Sequence, residues 1–356
     1  MIDTSSVIQP SSTLPTPHDK KVATWLLVCC GLVFAMIVLG GVTRLTGSGL
    51  SIVDWRPVTG VLPPLSDDKW QAEFAKYQQS PQYIEVNAHM DVHQFKEIYW
   101  LEYLHRLLGR LIGVVFLVPF MVFAMRGYIR KKEWPKYLAM FVLGGLQGLL
   151  GWYMVKSGLV DRPEVSQYRL TAHLVAALLI YVFMLWVALS ILRPRTTNTR
   201  NAGFRKAVAL TTLIATTIVS GGFVAGLKAG RIFNSFPMMG EYWMPPGVMA
   251  LMPPWSNFFD NPILVQFNHR VLAGTTLVAV VAFWIWCLRS ARPIGDRLAV
   301  HLLLGAALLQ VTLGISTLLL HVPVALAAIH QAVAVLLLTA AINLVHGLRD
   351  APAASP

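Results

Sequence analysis

The sequence predicts an all-α polytopic membrane protein in which eight transmembrane helices form two pseudosymmetric four-helix bundles. The composition, the number of long apolar segments and an internal repeat each support this prediction. Of the 356 residues, 55% are hydrophobic and only 13% are charged, and the mean hydropathy is +0.58. A chain this apolar is unlike a soluble cytoplasmic enzyme of the same length, so that class is excluded first.

Eight apolar segments are each long enough to cross a bilayer core, which takes about 20 helical residues. Unbroken apolar segments of this length are typical of helices and not of barrel strands. We expect the membrane spans at 23–44, 99–125, 137–156, 169–192, 206–227, 263–288, 298–320 and 325–347.

The basic residues predict the orientation of these spans. The connections 126–136, 193–206 and 289–297 hold 13 Lys and Arg residues in 34 positions, whereas the other connections, 44–98, 157–168, 227–262 and 321–324, hold only eight in 107. Short basic connections face the cytoplasm. We therefore expect both termini in the cytoplasm, and we attribute the net charge of +12 to membrane anchoring and not to nucleic-acid binding.

The same pattern predicts the domain organisation. The polar, proline-containing segment 1–22 is expected to be a disordered cytoplasmic tail. An N-terminal four-helix half at 23–193 and a C-terminal half at 206–348 follow, joined by a cytoplasmic linker at 194–205 and ended by a tail at 349–356. The long outer connections are rich in Trp, Pro and Met, which indicates either an interfacial aromatic belt or a lid of loops over an apolar group.

The two halves resemble each other in the order of their motifs, which in membrane proteins points to a site organised around a pseudo-twofold axis. A glycine pair closes the first span and the fifth, a Gln-x-x-x-Gly motif lies in the third and the seventh, and a histidine lies in every even-numbered span. The matching elements are Gly40-Gly41 with Gly221-Gly222, Gln147/Gly151 with Gln310/Gly314, His105-Arg106 with His269-Arg270, and His173 with His330.

The four histidines of the even-numbered spans lie at one predicted depth. Each is the fifth to seventh residue of its expected span, counted from the outer end, or about 7–10 Å into the membrane at 1.5 Å per residue. An ionisable side chain inside a span is costly and therefore indicates a functional site. A neutral histidine that hydrogen-bonds between helices is the alternative, and four at matched depth make it the weaker one.

The ligand type is inferred from what two neutral imidazoles facing each other in an apolar helix bundle would bind. Zinc normally recruits a third protein ligand, whereas haem iron accepts histidine on both faces and its flat apolar ring suits a helix bundle. A small residue that lets a porphyrin lie against the helix, or that serves close helix packing, stands four positions after each histidine: Gly109, Ala177, Ala273 and Ala334. We predict two haem sites, formed by His105 with His173 and by His269 with His330.

The two sites differ three residues before the first histidine of each pair. Glu102 precedes His105, whereas Gln266 precedes His269. A carboxylate carries protons and stabilises a developing cation, which an amide does not. We therefore assign the chemistry to Glu102; the alternative role for this residue, a salt bridge to Arg106 at i+4, does not exclude catalysis. Arg106 and Arg270 are expected to pair with propionates or to anchor their spans.

Three segments resemble the haem A synthase family: the Glu-x-x-His-Arg element at 102–106, the glycine-rich segment at 40–51, and the Phe-Asn-His-Arg element at 267–270. The resemblance covers about residues 22–348. One departure is the absence of a cysteine pair in the first outer loop, so the chain resembles the branch found in proteobacteria and mitochondria.

The resemblance implies an enzyme that oxidises the C8 methyl group of haem o to a formyl group, giving haem a for cytochrome oxidase with water as the oxygen source. It implies haem b as an electron-transfer cofactor on His269 and His330, and haem o as substrate on His105 and His173 with Glu102 as the catalytic carboxylate. It further implies a multi-pass protein of the bacterial inner membrane, an external electron acceptor, and a complex with haem o synthase.

Two other functional classes stay open at this point. One is a dihaem membrane cytochrome in quinone-linked electron transfer, and the other is a haem transporter, which internal symmetry also permits. A separate candidate is the outer-loop pair His89 and His93, which is expected to be a solvated surface, with a bound metal as the alternative.

Overall fold

The computed structural model describes residues 14–55, 60–160, 163–194, 202–289 and 294–349. Within these ranges, eight helices are long and apolar enough to cross a membrane, which confirms the predicted fold class. They are α1 (Pro17–Leu45), α4 (Val92–Met125), α5 (Trp134–Val160), α6 (Gln167–Leu192), α7 (Ala202–Gly226), α9 (Pro262–Arg289), α10 (Ile294–Leu319) and α11 (Val324–Leu348).

Three shorter helices lie in the predicted outer connections: α2 (Asp67–Tyr77), α3 (Pro81–Glu85) and α8 (Asn257–Asp260). The amphipathic helix α2 packs against the first part of α4 through Trp70, Phe74 and Tyr77, which form an aromatic cluster with Phe95 and Tyr99. The start of α4 therefore extends beyond the apolar segment and packs with α2 on the side predicted to face outward.

The first helix begins earlier than expected, so the tail predicted at 1–22 is partly wrong. Thr16 caps α1 in a reciprocal pair of hydrogen bonds with Asp19, and Pro17 occupies the first helical position, where its missing N–H has no cost. Residues 17–22 are helical for this reason, and residues 1–13 lie outside the described ranges. A hydropathy window does not detect such a polar first turn.

The expected linker at 194–205 is also shorter, because α7 begins at Ala202. Residues 195–201 of that linker and 350–356 of the expected C-terminal tail lie outside the described ranges.

The spanning helices form two closed groups. In the first, α1 contacts α4 and α6, and α5 contacts α4 and α6; in the second, α7 contacts α9 and α11, and α10 contacts α9 and α11. The groups meet through α1 with α11, α6 with α7, and α6 with α11. The helix contacts therefore agree with two four-helix halves, while the twofold relation between them stays a prediction.

Two polar side chains tie the groups together near the histidines. Arg44, at the end of α1, donates to the backbone oxygens of Ala225 (3.3 Å) and Gly226 (3.2 Å) at the end of α7. Gln331, the residue after His330, lies against Gly41 and donates to the Ile37 oxygen at 2.8 Å. Gly41 has no room for a side chain, so this glycine allows α1 and α11 to approach closely.

The largest cluster of buried apolar side chains lies at one end of the two groups. It includes residues from 22–37 of α1, 178–189 of α6, 207–214 of α7 and 335–348 of α11, with one to three residues from each of the other spans. On α6 and α11 it begins five residues past His173 and His330. Tight packing therefore lies at the predicted cytoplasmic end, and the histidine layer lies beyond it.

Candidate haem sites

Each of the four histidines lies against a glycine on the spanning helix that precedes its own. A Cβ atom built on that glycine would lie 3.0–3.2 Å from the nearest ring atom. The pairs are Gly40 with His105, Gly151 with His173, Gly221 with His269, and Gly314 with His330. A side chain larger than hydrogen at these positions would displace the imidazole, so the glycines fix where each ring lies.

The predicted pairs agree with the electrostatic interactions of the histidines. His105 interacts with His173, and His269 interacts with His330. All four residues are intermediate in exposure, neither fully buried like the core nor open like a surface residue. That each pair binds one group stays a prediction.

Hydrogen bonds distinguish the rings. The Nδ1 atom of His269 shares a hydrogen bond of 2.7 Å with the Ser220 hydroxyl, which orients the ring and leaves Nε2 for a ligand. The buried Nδ1 atom of His173 has no hydrogen-bond partner among the described residues.

These features fit haem. Each pair of imidazoles would supply the two nitrogen ligands that haem iron accepts, and the glycine contacts hold the rings in place. No group of three or more His, Cys, Asp or Glu side chains able to hold a bare metal ion occurs among the described residues. The donor set therefore matches haem iron better than zinc.

Glu102 is buried, with 3% of its surface exposed, and both of its oxygens are occupied. Oε2 accepts hydrogen bonds from the Ser51 hydroxyl (2.7 Å) and the Ile52 backbone N–H (2.9 Å). Oε1 accepts from Nη2 and Nε of Arg106 at 2.6 and 3.1 Å. The i+4 salt bridge that the sequence offered as an alternative role is therefore present, and it fixes the carboxylate one helical turn from His105.

Arg106 also fastens the first outer loop to α4. Its guanidinium donates to the backbone oxygens of Ile52 (2.9 Å) and Asp54 (3.2 Å), and its cationic carbon lies 5.5 Å from the Trp55 ring centre. Asp54 in turn pairs with Lys76 of α2 at 2.9 Å. Hydrogen bonds to Glu73 and Asp54 raise the pKa of Lys76 above its usual value.

The second group has the corresponding loop contact without a carboxylate. Arg270 donates to the backbone oxygens of Phe233, Ser235 and Met238, and the Gln266 amide donates to that of Phe233 at 2.9 Å. The buried Oε1 of Gln266 has no hydrogen-bond partner among the described residues. This loop provides acceptors, whereas the loop at Ser51 and Ile52 also provides two donors.

The comparisons with known proteins cover nearly the whole chain. The family model described as "Cytochrome oxidase assembly protein" (COX15-CtaA) matches residues 23–342. The chain belongs to this family. It is 50% identical over 349 residues to the "Heme A synthase" of Nitrosospira multiformis, covering 95% of this chain and 98% of that protein. It is 46% identical over 348 residues to the "Heme A synthase COX15" of Arabidopsis thaliana, covering 93% and 75% respectively.

Membership in the haem A synthase family confirms the resemblance that the sequence motifs indicated. It also confirms that this is an enzyme of haem a biosynthesis with membrane-spanning helices. The assignment of individual residues to substrate and cofactor stays a prediction.

Other histidines do not join the two pairs. His89 and His93 are exposed in the outer region. His346 is buried at 1% exposure, and its Nε2 atom lies 3.2 Å from the Ser190 hydroxyl, because α11 packs against α6 along its last turns.

Sequence reasoning missed Ser51 and Ser220, which contact Glu102 and His269. Ser51 belongs to the glycine-rich segment at 40–51 that carries the resemblance, so the sequence drew attention to the segment but did not predict the contact of Ser51 with Glu102. Ser220 precedes the repeated glycine pair at 221–222 and was identifiable only from the helix contact.

Proposed function

We propose that this protein is a haem a synthase that oxidises the C8 methyl group of haem o to a formyl group, using water as the oxygen source and haem b for electron transfer. The observation that carries the proposal is the asymmetry between two otherwise alike histidine pairs: a buried carboxylate at Glu102 beside one, and the amide of Gln266 beside the other. The names of the relatives support the same activity.

His269 and His330 hold haem b in this proposal. The Ser220 contact supports a permanent iron ligand at His269. A hydrogen bond at Nδ1 orients the imidazole and increases the basicity of Nε2, the atom that would bind iron. Haem b, when bound there, supplies electron transfer between the substrate site and an external acceptor. No carboxylate lies at the position of Gln266 to interfere with a purely electron-transferring group.

His105 and His173 hold the substrate, haem o, with its C8 methyl group on the side of Glu102. The net change converts a methyl group and one water molecule into a formyl group, four protons and four electrons. Positive charge develops on the substrate as electrons leave, and a fixed carboxylate in a medium of low polarity stabilises that charge. Glu102 then accepts a proton from the attacking water molecule.

The protein is proposed to lie in the bacterial inner membrane with both termini in the cytoplasm, because the basic connections lie on that side. The histidine layer then lies near the outer leaflet. Direct transfer from haem o synthase is the proposed source of substrate, since passing an apolar ring between membrane proteins avoids its release into water.

Pigment extraction from the purified protein tests the proposal. We expect haem b together with haem o or haem a, and the Glu102→Gln variant is expected to retain haem b while haem o or a hydroxylated intermediate accumulates. Glu97→Gln, which changes an exposed carboxylate on the same helix, is the matched control and should convert haem o normally. Full conversion to haem a by the Glu102→Gln variant would remove Glu102 from the mechanism.

The same extraction distinguishes the other two classes. A dihaem electron-transfer cytochrome would release haem b alone, and a transporter would release haem o unchanged from the wild-type protein after incubation with an oxidant.

A further inference from the structure

Ser51 is the side chain of the first outer loop that contacts the Glu102 carboxylate. Its hydroxyl donates to Oε2 at 2.7 Å, and Ser51 is itself only 2% exposed. We propose that Ser51 is a positioning residue for the reaction: its hydroxyl holds the Glu102 carboxylate in the orientation that faces the substrate methyl group. This inference rests on the proposed function of Glu102.

The geometry supports a role in orientation rather than in loop packing. Arg106, one turn along the same helix, donates to Oε1 of Glu102. This contact alone would let the carboxylate group rotate about the bond that joins it to the side chain. Ser51 and the Ile52 N–H hold Oε2 from a separate segment, which removes that freedom. A carboxylate held at both oxygens from two directions is preorganised, and no reorganisation is needed when charge develops on the substrate.

The second helix group shows that these donors accompany the carboxylate. Its loop at Phe233–Met238 accepts hydrogen bonds from Gln266 and Arg270 but provides no donor to the Gln266 oxygen among the described residues. The loop therefore fastens to its helix without any counterpart of the Ser51 contact. An arginine fastens the loop to its helix in both groups, whereas the hydrogen bonds to Oε2 of Glu102 come from Ser51 and Ile52.

The same segment contains a matched control residue. Ser48 is fully buried, three residues before Ser51, and its hydroxyl bonds the Thr46 side chain at 2.7 Å and not Glu102. Ser48→Ala and Ser51→Ala therefore each remove one buried hydroxyl from one loop. Only Ser51→Ala changes the hydrogen bonds of the carboxylate.

The test measures haem o oxidation, haem o binding and the infrared spectrum of these variants in the full-length, haem b-loaded protein. Ser51→Ala is expected to lower the turnover number about tenfold, the effect of losing one hydrogen bond to a charged group. Binding of haem o, followed by its absorption change, is expected to be unaltered, as is the haem b content. Ser51→Thr, which keeps the hydroxyl, and Ser48→Ala are expected to turn over like the wild type.

The infrared measurement gives a readout that does not depend on turnover. The carboxylate band of Glu102 is the one that Glu102→Gln removes, and it is expected to shift in Ser51→Ala but not in Ser48→Ala. Equal turnover in Ser51→Ala and wild type, or equal losses in Ser51→Ala and Ser48→Ala, would overturn the proposal. If Ser51→Ala does not fold, Ser51→Thr still tests the proposal. Normal haem b content and an unshifted carboxylate band without turnover would show that the hydrogen bond to Glu102 is not what the reaction requires, and would overturn it.

Failure of this inference is distinguishable from failure of the proposed function. If wild-type protein oxidises haem o and Glu102→Gln does not, the function stands whatever Ser51 does. If the wild-type protein does not oxidise haem o, the proposed function itself is wrong, and the Ser51 variants are not needed to show it.

Discussion

The backbone of Gly314 lies against the imidazole of His330, so closely that a Cβ atom on this glycine would come within 3.0 Å of ring atom Cε1. The three other histidines of the two pairs have a glycine in the same relation to them. Helix α10 thus determines where the ring on α11 lies, although neither residue forms a hydrogen bond to the other. The position of each proposed iron ligand depends on a residue without a side chain.

Gly314→Val is therefore expected to abolish haem b binding, because the added carbons must displace the His330 ring or push the helices apart. Overpacking of this kind costs about 1–3 kcal/mol and moves the ligand as well. The absorption spectrum of the purified variant measures the loss. Gly305→Val on the same helix is the control, since a Cβ there meets no neighbouring atom, and it should bind haem b normally. Loss of haem b from both variants would instead indicate a general effect of valine on α10.

Replacing the histidines separates the two sites. His269→Ala and His330→Ala are expected to lose the low-spin haem b spectrum, whereas His105→Ala should abolish turnover and keep haem b. The reason is that only the first two are proposed ligands of the cofactor. His301→Ala, on a spanning helix but bonded to Trp284, serves as the control. The reverse pattern of spectra would mean that the substrate and cofactor sites are exchanged.

Arg106→Gln is expected to destabilise the protein more than Arg270→Gln. Arg106 compensates a carboxylate that is 3% exposed, and breaking a buried pair costs about 3–5 kcal/mol. Within the described ranges, the hydrogen-bond acceptors of Arg270 are neutral carbonyl oxygens, so its loss is expected to cost about 1–3 kcal/mol. Thermal unfolding in detergent measures both. A double variant, Glu102→Gln with Arg106→Gln, should recover part of the loss, and a further decrease would contradict the uncompensated charge as the cause.

The ion pairs of Lys76 predict that the free energy of unfolding decreases slightly at alkaline pH. Because Glu73 and Asp54 raise the pKa of Lys76 above about 10.4, the stability that they contribute is complete below that pH and is lost as the pH rises through the higher folded value. The pair is over a third exposed, so Lys76→Gln is expected to cost less than about 1 kcal/mol at neutral pH. The unfolding midpoints of the wild type and of Lys76→Gln should therefore approach each other as the pH rises above about 10.4. A difference that stays constant with pH would argue against the ion pairs.

The sequence predicted the spans well because hydropathy directly reports a helix that crosses a membrane. It predicted the start of α1 poorly, since Thr16 and Asp19 define that helix through hydrogen bonds at polar residues. Likewise, α4 begins at Val92 and not at 99, because its first turns are stabilised by packing against α2 and not by lipid.

The site was predictable where the helix period alone brings residues together. Glu102 and Arg106 are four residues apart on one helix, so their contact followed from the sequence. The contacts of Glu102 with Ser51 and Ile52 depend on the path of a loop, and those of His269 with Ser220 depend on the rotation of two helices. Neither is encoded in the spacing of residues along one element.

The apolar core of the two helix groups ends before it reaches the four histidines, so packing of the helices and binding of haem involve different parts of the spans. The packing that holds the helices together is densest around residues such as Leu26, Leu303 and Val335, away from the proposed haem ligands. A newly inserted chain is therefore expected to assemble before it is loaded with pigment. Iron-starved cells should then accumulate intact, colourless protein that becomes coloured when the supply returns.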